Sequence, residues 1–186
     1  MSAGSFVQKS AAEHARPAPE VALASPRNPL VLVLENIRSG GNVGSVLRTA
    51  DCVLAEEVLL VGYTPSPPHR EILRTSLGAE ASVPWRRIED LGAVLTGFRE
   101  SGYTIAALEQ TSNSTPLQAY VRQAASAKTV LVLGNEVRGV SAETLDLVDV
   151  AVEIEQFGAK QSFNVSVAAG IAAWAIVNGN ETLCRR

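Results

Sequence analysis

Polar side chains that could hold a ligand are concentrated in one stretch, residues 154–175, reading IEQFGAKQSFNVSVAAGIAAWA. Residues 150–154 favour a short strand, and Ser162, Phe163 and Asn164 then lead directly into an apolar helix. Ser162 or Asn164 can cap that helix, because either side chain accepts from the unpaired N–H groups of a first helical turn. Capping alone does not ask for Gly158, Lys160, Gln161, Ser162 and Asn164 together at one strand end. The loop reads as the floor of a ligand site.

Two further clusters have the same character. In ENIRSGGNVGSVLRTA, residues 35–50, Gly40, Gly41 and Gly44 could bring backbone N–H groups against a phosphate at a helix start. The ordinary alternative is a flexible turn with Asn42 as helix cap. No Gly-Lys dipeptide and no G-x-G-x-x-G spacing occurs, which disfavours triphosphate and dinucleotide loops. Arg48 lies about one and two-thirds helical turns beyond Asn42. In the company of the glycine loop it reads as a site residue rather than a solvated cation. In GNEVRG, residues 134–139, Gly134 and Gly139 permit close backbone approach, with Asn135 and Glu136 as polar groups at a strand end. Glu136 either faces water or meets a cationic ligand or an arginine from elsewhere. Arg70 and Arg74 share a helix face, and with Arg86, Arg87 and Arg38 they are candidates for a phosphate-facing patch, a solvated face being the ordinary alternative. Trp85 and Trp174 read as core residues.

These clusters need a frame, and the hydrophobic pattern supplies one. Apolar β-favouring runs recur at residues 30–34, 58–61, 104–107, 129–133 and 150–154. Each is short and nearly continuous, as expected of strands covered on both faces. Helical stripes lie between them: Val43, Val46, Leu47 and Ala50; Leu91, Val94, Leu95 and Phe98 within residues 88–101; and residues 141–147 after a capping-type Ser-Ala-Glu-Thr. Alternating strand and helix predicts an α/β fold with an open, mainly parallel sheet flanked by helices and ligands in the crevice beyond the strand C-termini. Each cluster falls at such an end.

The 186 residues are 46% hydrophobic, enough for one domain with a full core. Residues 1–29, rich in Ala, Ser, Pro and Glu, read as a flexible tail, and residues 30–186 as the domain. The apolar run at 165–177 is shorter than the roughly 20 residues that cross a bilayer, and no signal peptide is evident, so a cytoplasmic protein without membrane contact is expected. Cys52, Cys184, His14 and His69 have no metal or disulfide spacing. Net charge is −3, the opposite of the usual nucleic-acid binder, so any RNA contact must come from a local patch.

Three segments resemble, in order, the three motifs of the SpoU (TrmH-like) branch of the SPOUT RNA methyltransferases. Residues 36–50 resemble motif one through Asn42, Gly44, Ser45, Arg48 and Thr49; residues 131–140 resemble motif two and residues 154–169 motif three. Motif three departs at Glu155, Gln156 and Phe157, where the family often has Pro and Met after Ile, and at Phe163, where Leu is usual. The resemblance implies a C-terminal trefoil knot, S-adenosylmethionine as cofactor and a homodimer with the active site near its interface. The last helix, with Val165, Val167, Ile171, Trp174 and Ala175, suits that interface. It implies a cofactor site formed by Leu108, Glu109, Gly134, Asn135, Glu136, Gly139, Ile154, Gln156, Ser162, Phe163 and Asn164. It implies catalytic roles for Arg48, Asn42, Glu136, Ser162 and Asn164, in methyl transfer to a ribose 2′-hydroxyl of structured RNA, tRNA favoured over rRNA. A module that binds RNA or cofactor without catalysis, or that needs an RNA-binding partner protein, is the alternative.

Overall fold

A computed structural model describes residues 8, 10, 17–123 and 128–179. Seven strands form one sheet: β1 (Asn28–Glu35), β2 (Ala55–Val61), β3 (Trp85–Ile88), β4 (Tyr103–Leu108), β5 (Thr115–Pro116), β6 (Lys128–Leu133) and β7 (Val150–Glu153). Their order is β3-β2-β1-β6-β4-β7-β5 and every pairing is parallel. The helices are α1 (Pro19–Ala24), α2 (Gly40–Cys52), α3 (Arg70–Ser76), α4 (Leu91–Glu100), α5 (Leu117–Gln123), α6 (Ala142–Leu145) and α7 (Val165–Gly179).

The continuous apolar runs are explained by cover on both faces. Along β1, Leu30, Leu32 and Leu34 pack with Val43, Val46 and Leu47 of α2 and with Ala169 and Ala172 of α7. The alternate residues Val31 and Val33 pack with Leu91 and Leu95 of α4 and with Ile105. Successive side chains point to opposite faces, so a strand between two helical layers must be apolar at every position.

Local chemistry sets the helix starts. Ser39, not Asn42, caps α2 and accepts from Asn42 N at 3.3 Å, so the helix begins at Gly40 and Asn42 lies within its first turn. Ser141 caps α6 by accepting from Thr144 N at 3.2 Å. Asp90 caps α4 by accepting from Ala93 N at 2.9 Å; the expected helix from residue 88 is delayed because Ile88 pairs with Val61 in β3. At α7 the cap is Asn164, whose Oδ1 accepts from Ser166 N at 2.9 Å.

Three other expectations change. The tail assignment over residues 1–29 is corrected at its end: α1 buries Ala22, and Arg27 donates to the carbonyls of Ala55 at 2.9 Å and Ala22 at 3.0 Å. Residues 1–7, 9 and 11–16 lie outside the described residues. Strands β3 and β5 and helix α5 were not expected, being too short or too polar to show a period. Trp174 is not a core residue but 62% exposed on α7, whereas Trp85 is half-buried and donates from Nε1 to Glu80 O at 3.1 Å. Among the described residues no helix is long and apolar enough to cross a membrane.

Candidate active site

The site is assembled at the C-terminal ends of β1, β6, β4 and β7. The loop after β6 folds back on itself: Asn135 and Gly139 exchange both backbone hydrogen bonds at 2.9 Å. Gly134 must be glycine, because a Cβ there would stand 2.1 Å from Gly139 C. Gly139 has φ +71°, a left-handed conformation favouring glycine, and a Cβ there would meet Glu109 Oε2 at 2.1 Å. The Glu109 carboxylate closes the turn by accepting from Val140 N at 2.8 Å. Buried Asn135 uses its whole amide: Nδ2 donates to Asn36 O at 2.8 Å and Tyr63 Oη at 3.0 Å, and Oδ1 accepts from Val137 N and Arg138 N at 2.9 Å.

Glu136 leaves this loop and reaches the start of α2. Its carboxylate accepts from Arg38 N at 3.0 Å, Ser39 N at 3.1 Å and Asn42 Nδ2 at 2.9 Å. Free N–H groups and the positive end of the helix dipole make a helix start an anion site, and here the anion is the protein's own. Burial pushes the Glu136 carboxyl up, but the hydrogen bonds from Arg38 N, Asn42, its own backbone and Ser39 N outweigh it and hold the group below the ordinary carboxylate range. The partner of Glu136 is therefore not a distant arginine side chain.

This arrangement corrects the phosphate reading of the glycine loop. Gly40 and Gly44 serve close packing with α3 and its cap: a Cβ at Gly40 would lie 2.6 Å from His69 Nδ1, and one at Gly44 would lie 2.1 Å from Thr75 Oγ1 and 2.5 Å from Ile72 O.

Motif three joins through Asn164, whose Nδ2 donates to Asn42 Oδ1 at 3.1 Å. Asn42 thus links Glu136 on one side and Asn164 on the other. The loop between β7 and α7 is fastened by Gln110 Nε2, which donates to Gln161 O at 2.9 Å. Between these segments lies a cleft of about 440 Å³. Leu108, Glu109, Gly134, Asn135, Glu136, Gly139, Ile154, Gln156, Ser162, Phe163 and Asn164 all line it, as do Gln110, Leu133, Val152 and Glu153, which sequence reasoning missed. Gly158 and Lys160 are exposed and do not line it.

Arg48 is exposed on α2, outside the cleft lining, and its side chain makes no hydrogen bond or ion pair among the described residues. The other arginines separate into two groups. Arg86 is ion-paired to Glu57 at 2.8 Å, and Arg87 donates to Thr64 O at 2.9 Å and Gly62 O at 2.8 Å. Both guanidinium groups are thus engaged by acceptors of the protein itself. Arg38, Arg70 and Arg74 are exposed. Among the described residues no cluster of His, Cys, Asp or Glu is placed to hold a metal.

An open parallel α/β sheet with a ligand cleft beyond its strand ends defines the class: a small-molecule-binding α/β protein, its site made by three loops tied through Asn42. The chain belongs to the SpoU rRNA Methylase family, which it matches over residues 29–174. It is 30% identical to an uncharacterised tRNA/rRNA methyltransferase of Synechocystis sp. over 78% of this chain and 52% of that protein. It is 33% identical to the mouse tRNA (guanosine(18)-2′-O)-methyltransferase TARBP1 over 78% of this chain and 9% of that protein. Among solved structures it resembles an AdoMet-bound rRNA methyltransferase from Sinorhizobium meliloti, with a TM-score of 0.74 at 26% identity, covering 88% of this chain and 61% of that one. The chain spans about half the length of the bacterial relatives it matches.

Proposed function

We propose that this chain is an S-adenosylmethionine-dependent RNA methyltransferase acting on a ribose 2′-hydroxyl of structured RNA, with tRNA favoured over rRNA. The observation that carries the reading is the link Glu136–Asn42–Asn164, which ties the motif-one helix start to the two motif loops that line the cleft. The 2′-O assignment and the preference for tRNA draw support from the likeness to TARBP1.

The cleft fits the cofactor in size and chemistry. Its volume of about 440 Å³ lies within the range of small-molecule sites. Leu108, Leu133, Val152, Ile154 and Phe163 offer apolar surface for an adenine ring, and the carboxylates of Glu109, Glu136 and Glu153 give a negative surround for a sulfonium. When bound, the cofactor supplies a methyl group already activated by positive sulfur. The protein must align the hydroxyl with it and relieve the hydroxyl of its proton. In this reading Arg48 acts as a fixed cation rather than as the base. Its fork, without a partner among the described residues, suits an RNA phosphate and the forming alkoxide, with phosphate or water removing the proton. Asn42, oriented by Glu136 and Asn164, positions the substrate; Ser162 contributes a hydroxyl at the cleft wall.

The working form in this reading is a cytoplasmic homodimer whose C-terminal segment forms the family's trefoil knot. Its interface uses the exposed face of α7, where Val167, Ile171 and Trp174 stand 48%, 38% and 62% exposed. The net charge of −3 favours one refinement, a partner protein that adds RNA affinity. The test is incubation with radiolabelled S-adenosylmethionine and bulk tRNA or rRNA. Label is expected to move to RNA with the unsubstituted protein and not with Arg48→Ala. Cofactor binding without transfer to either RNA would favour a non-catalytic or partner-dependent module.

A further inference from the structure

Tyr63 is a large aromatic side chain, 60% exposed, on the short turn that follows β2. Exposure of one aromatic is ordinary; the way this one is held is not. Arg87 clamps the turn from both sides, donating to Gly62 O at 2.8 Å and Thr64 O at 2.9 Å. Buried Thr64 pins it to the end of β1, donating from Oγ1 to Leu34 O at 2.8 Å and accepting from Ile37 N at 3.0 Å. Tyr63 N donates to Asn36 Oδ1 at 3.4 Å. Gly62, at φ +64°, lets that amide come close: a Cβ there would lie 2.0 Å from Asn36 Oδ1. Finally, Tyr63 Oη accepts from Asn135 Nδ2 at 3.0 Å, and Asn135 lines the cofactor cleft. The ring is therefore fixed at both ends, one hydrogen bond from the cleft, while most of its surface meets water.

A rigid, exposed aromatic beside a reaction cleft is a preorganised stacking surface, since its ordering is complete before any ligand arrives. Two exposed arginines flank the same hydrogen-bonded cluster. Arg38 follows Asn36 in the loop that Glu136 anchors, and Arg138 belongs to the turn that Asn135 holds. Aromatic faces with nearby cations are the chemistry that binds unstacked nucleotides of RNA loops.

Resting on the RNA methyltransferase reading above, we infer that Tyr63 is a specificity-determining residue: its ring stacks on a nucleobase at or next to the target nucleotide and thereby sets the target ribose against the cleft. Stacking accepts any base with a π-face, so Tyr63 selects an unstacked nucleotide rather than a particular base. The hydrogen bond to Asn135 orients the ring and is not the main source of RNA affinity. Asn135 Nδ2 also donates to Asn36 O, and water can replace the Tyr63 hydroxyl at this exposed site.

The test compares Tyr63→Ala and Tyr63→Phe with the unsubstituted chain by filter binding to bulk tRNA, by RNA KM in methyl transfer and by calorimetry with S-adenosylmethionine. Tyr63→Ala is expected to weaken tRNA binding and raise KM by about five- to a hundredfold, with cofactor affinity unchanged. Tyr63→Phe is expected to restore most of that loss. Unaltered tRNA binding by Tyr63→Ala overturns the assignment. A Phe variant as weak as the Ala variant also overturns it, because the residue would then act through Asn135. An unsubstituted protein that binds tRNA but transfers no methyl contradicts the methyltransferase reading alone, and the binding comparison still decides Tyr63. A protein that binds neither tRNA nor rRNA overturns both.

Discussion

Asn42 Nδ2 and Glu136 Oε1 meet at 2.9 Å although 94 positions separate them in the chain. The contact joins the first turn of α2 to the loop after β6, and the same carboxylate accepts from Arg38 N and Ser39 N. One anionic side chain thereby neutralises a helix start and sets the shape of the cleft.

Glu136 gives the site a defined pH response. Its carboxyl is held below the ordinary range, so the folded state favours the charged form. Its contribution to stability is present above the unfolded carboxylate value, about 4.3, and is lost as pH falls through the lower folded value. Glu136→Gln is expected to cost about 1 kcal/mol at neutral pH, the net worth of a typical hydrogen bond. Thermal melts of the two proteins should converge as pH falls through that lowered value and the native carboxylate is protonated. A difference that persists unchanged in acid would contradict this role.

Gly44 and Gly97 lie within helices but differ in surroundings. A Cβ at Gly44 would stand 2.1 Å from Thr75 Oγ1 and 2.5 Å from Ile72 O, whereas one at Gly97 meets nothing within 4 Å. Gly44→Ala is expected to destabilise by about 1–3 kcal/mol through forced separation of α2 and α3. Gly97→Ala is expected to stabilise by about 0.4–1 kcal/mol through the unfolded chain. Chemical denaturation of the pair checks both signs.

In the proposed mechanism Arg48 supplies the charge, from outside the cleft lining. Arg48→Lys keeps the charge and loses the bidentate fork. It is expected to lower kcat by about tenfold or more, the cost of one charge-assisted hydrogen bond at the transition state, with cofactor affinity unchanged. Turnover near that of the unsubstituted protein would sink the fork.

Trp174 tests the proposed dimer. It stands 62% exposed beside Ile171 on α7. Trp174→Glu is expected to convert a dimer to a monomer in sedimentation while leaving the circular dichroism spectrum intact. A monomeric unsubstituted protein would remove the interface from the account.

The frame of the fold was legible because burial on both faces of a parallel sheet imposes uninterrupted runs such as LVLVL at residues 30–34, and helices between them impose a stripe such as Val43, Val46, Leu47 and Ala50. The cleft was legible because the recognisable loops fall at strand ends. The bonds within it were not. Nothing in the sequence says that the helix start at Ser39 receives an internal carboxylate from Glu136, or that buried Glu35 accepts from Ser141 N and Thr144 Oγ1 at 3.0 and 2.7 Å, because such partners are distant in sequence and carry no period. Gly44 looked like a phosphate-loop glycine because the demand for a missing Cβ is the same whether the close neighbour is a ligand or another helix.

The most direct measurement is nucleoside analysis of tRNA and rRNA after incubation with radiolabelled S-adenosylmethionine. The account predicts label in a 2′-O-methyl nucleoside, recognisable because its 3′ linkage resists alkaline hydrolysis, with the tRNA pool labelled in preference to rRNA. Label on a base, with the ribose unmodified, would contradict ribose 2′-hydroxyl transfer.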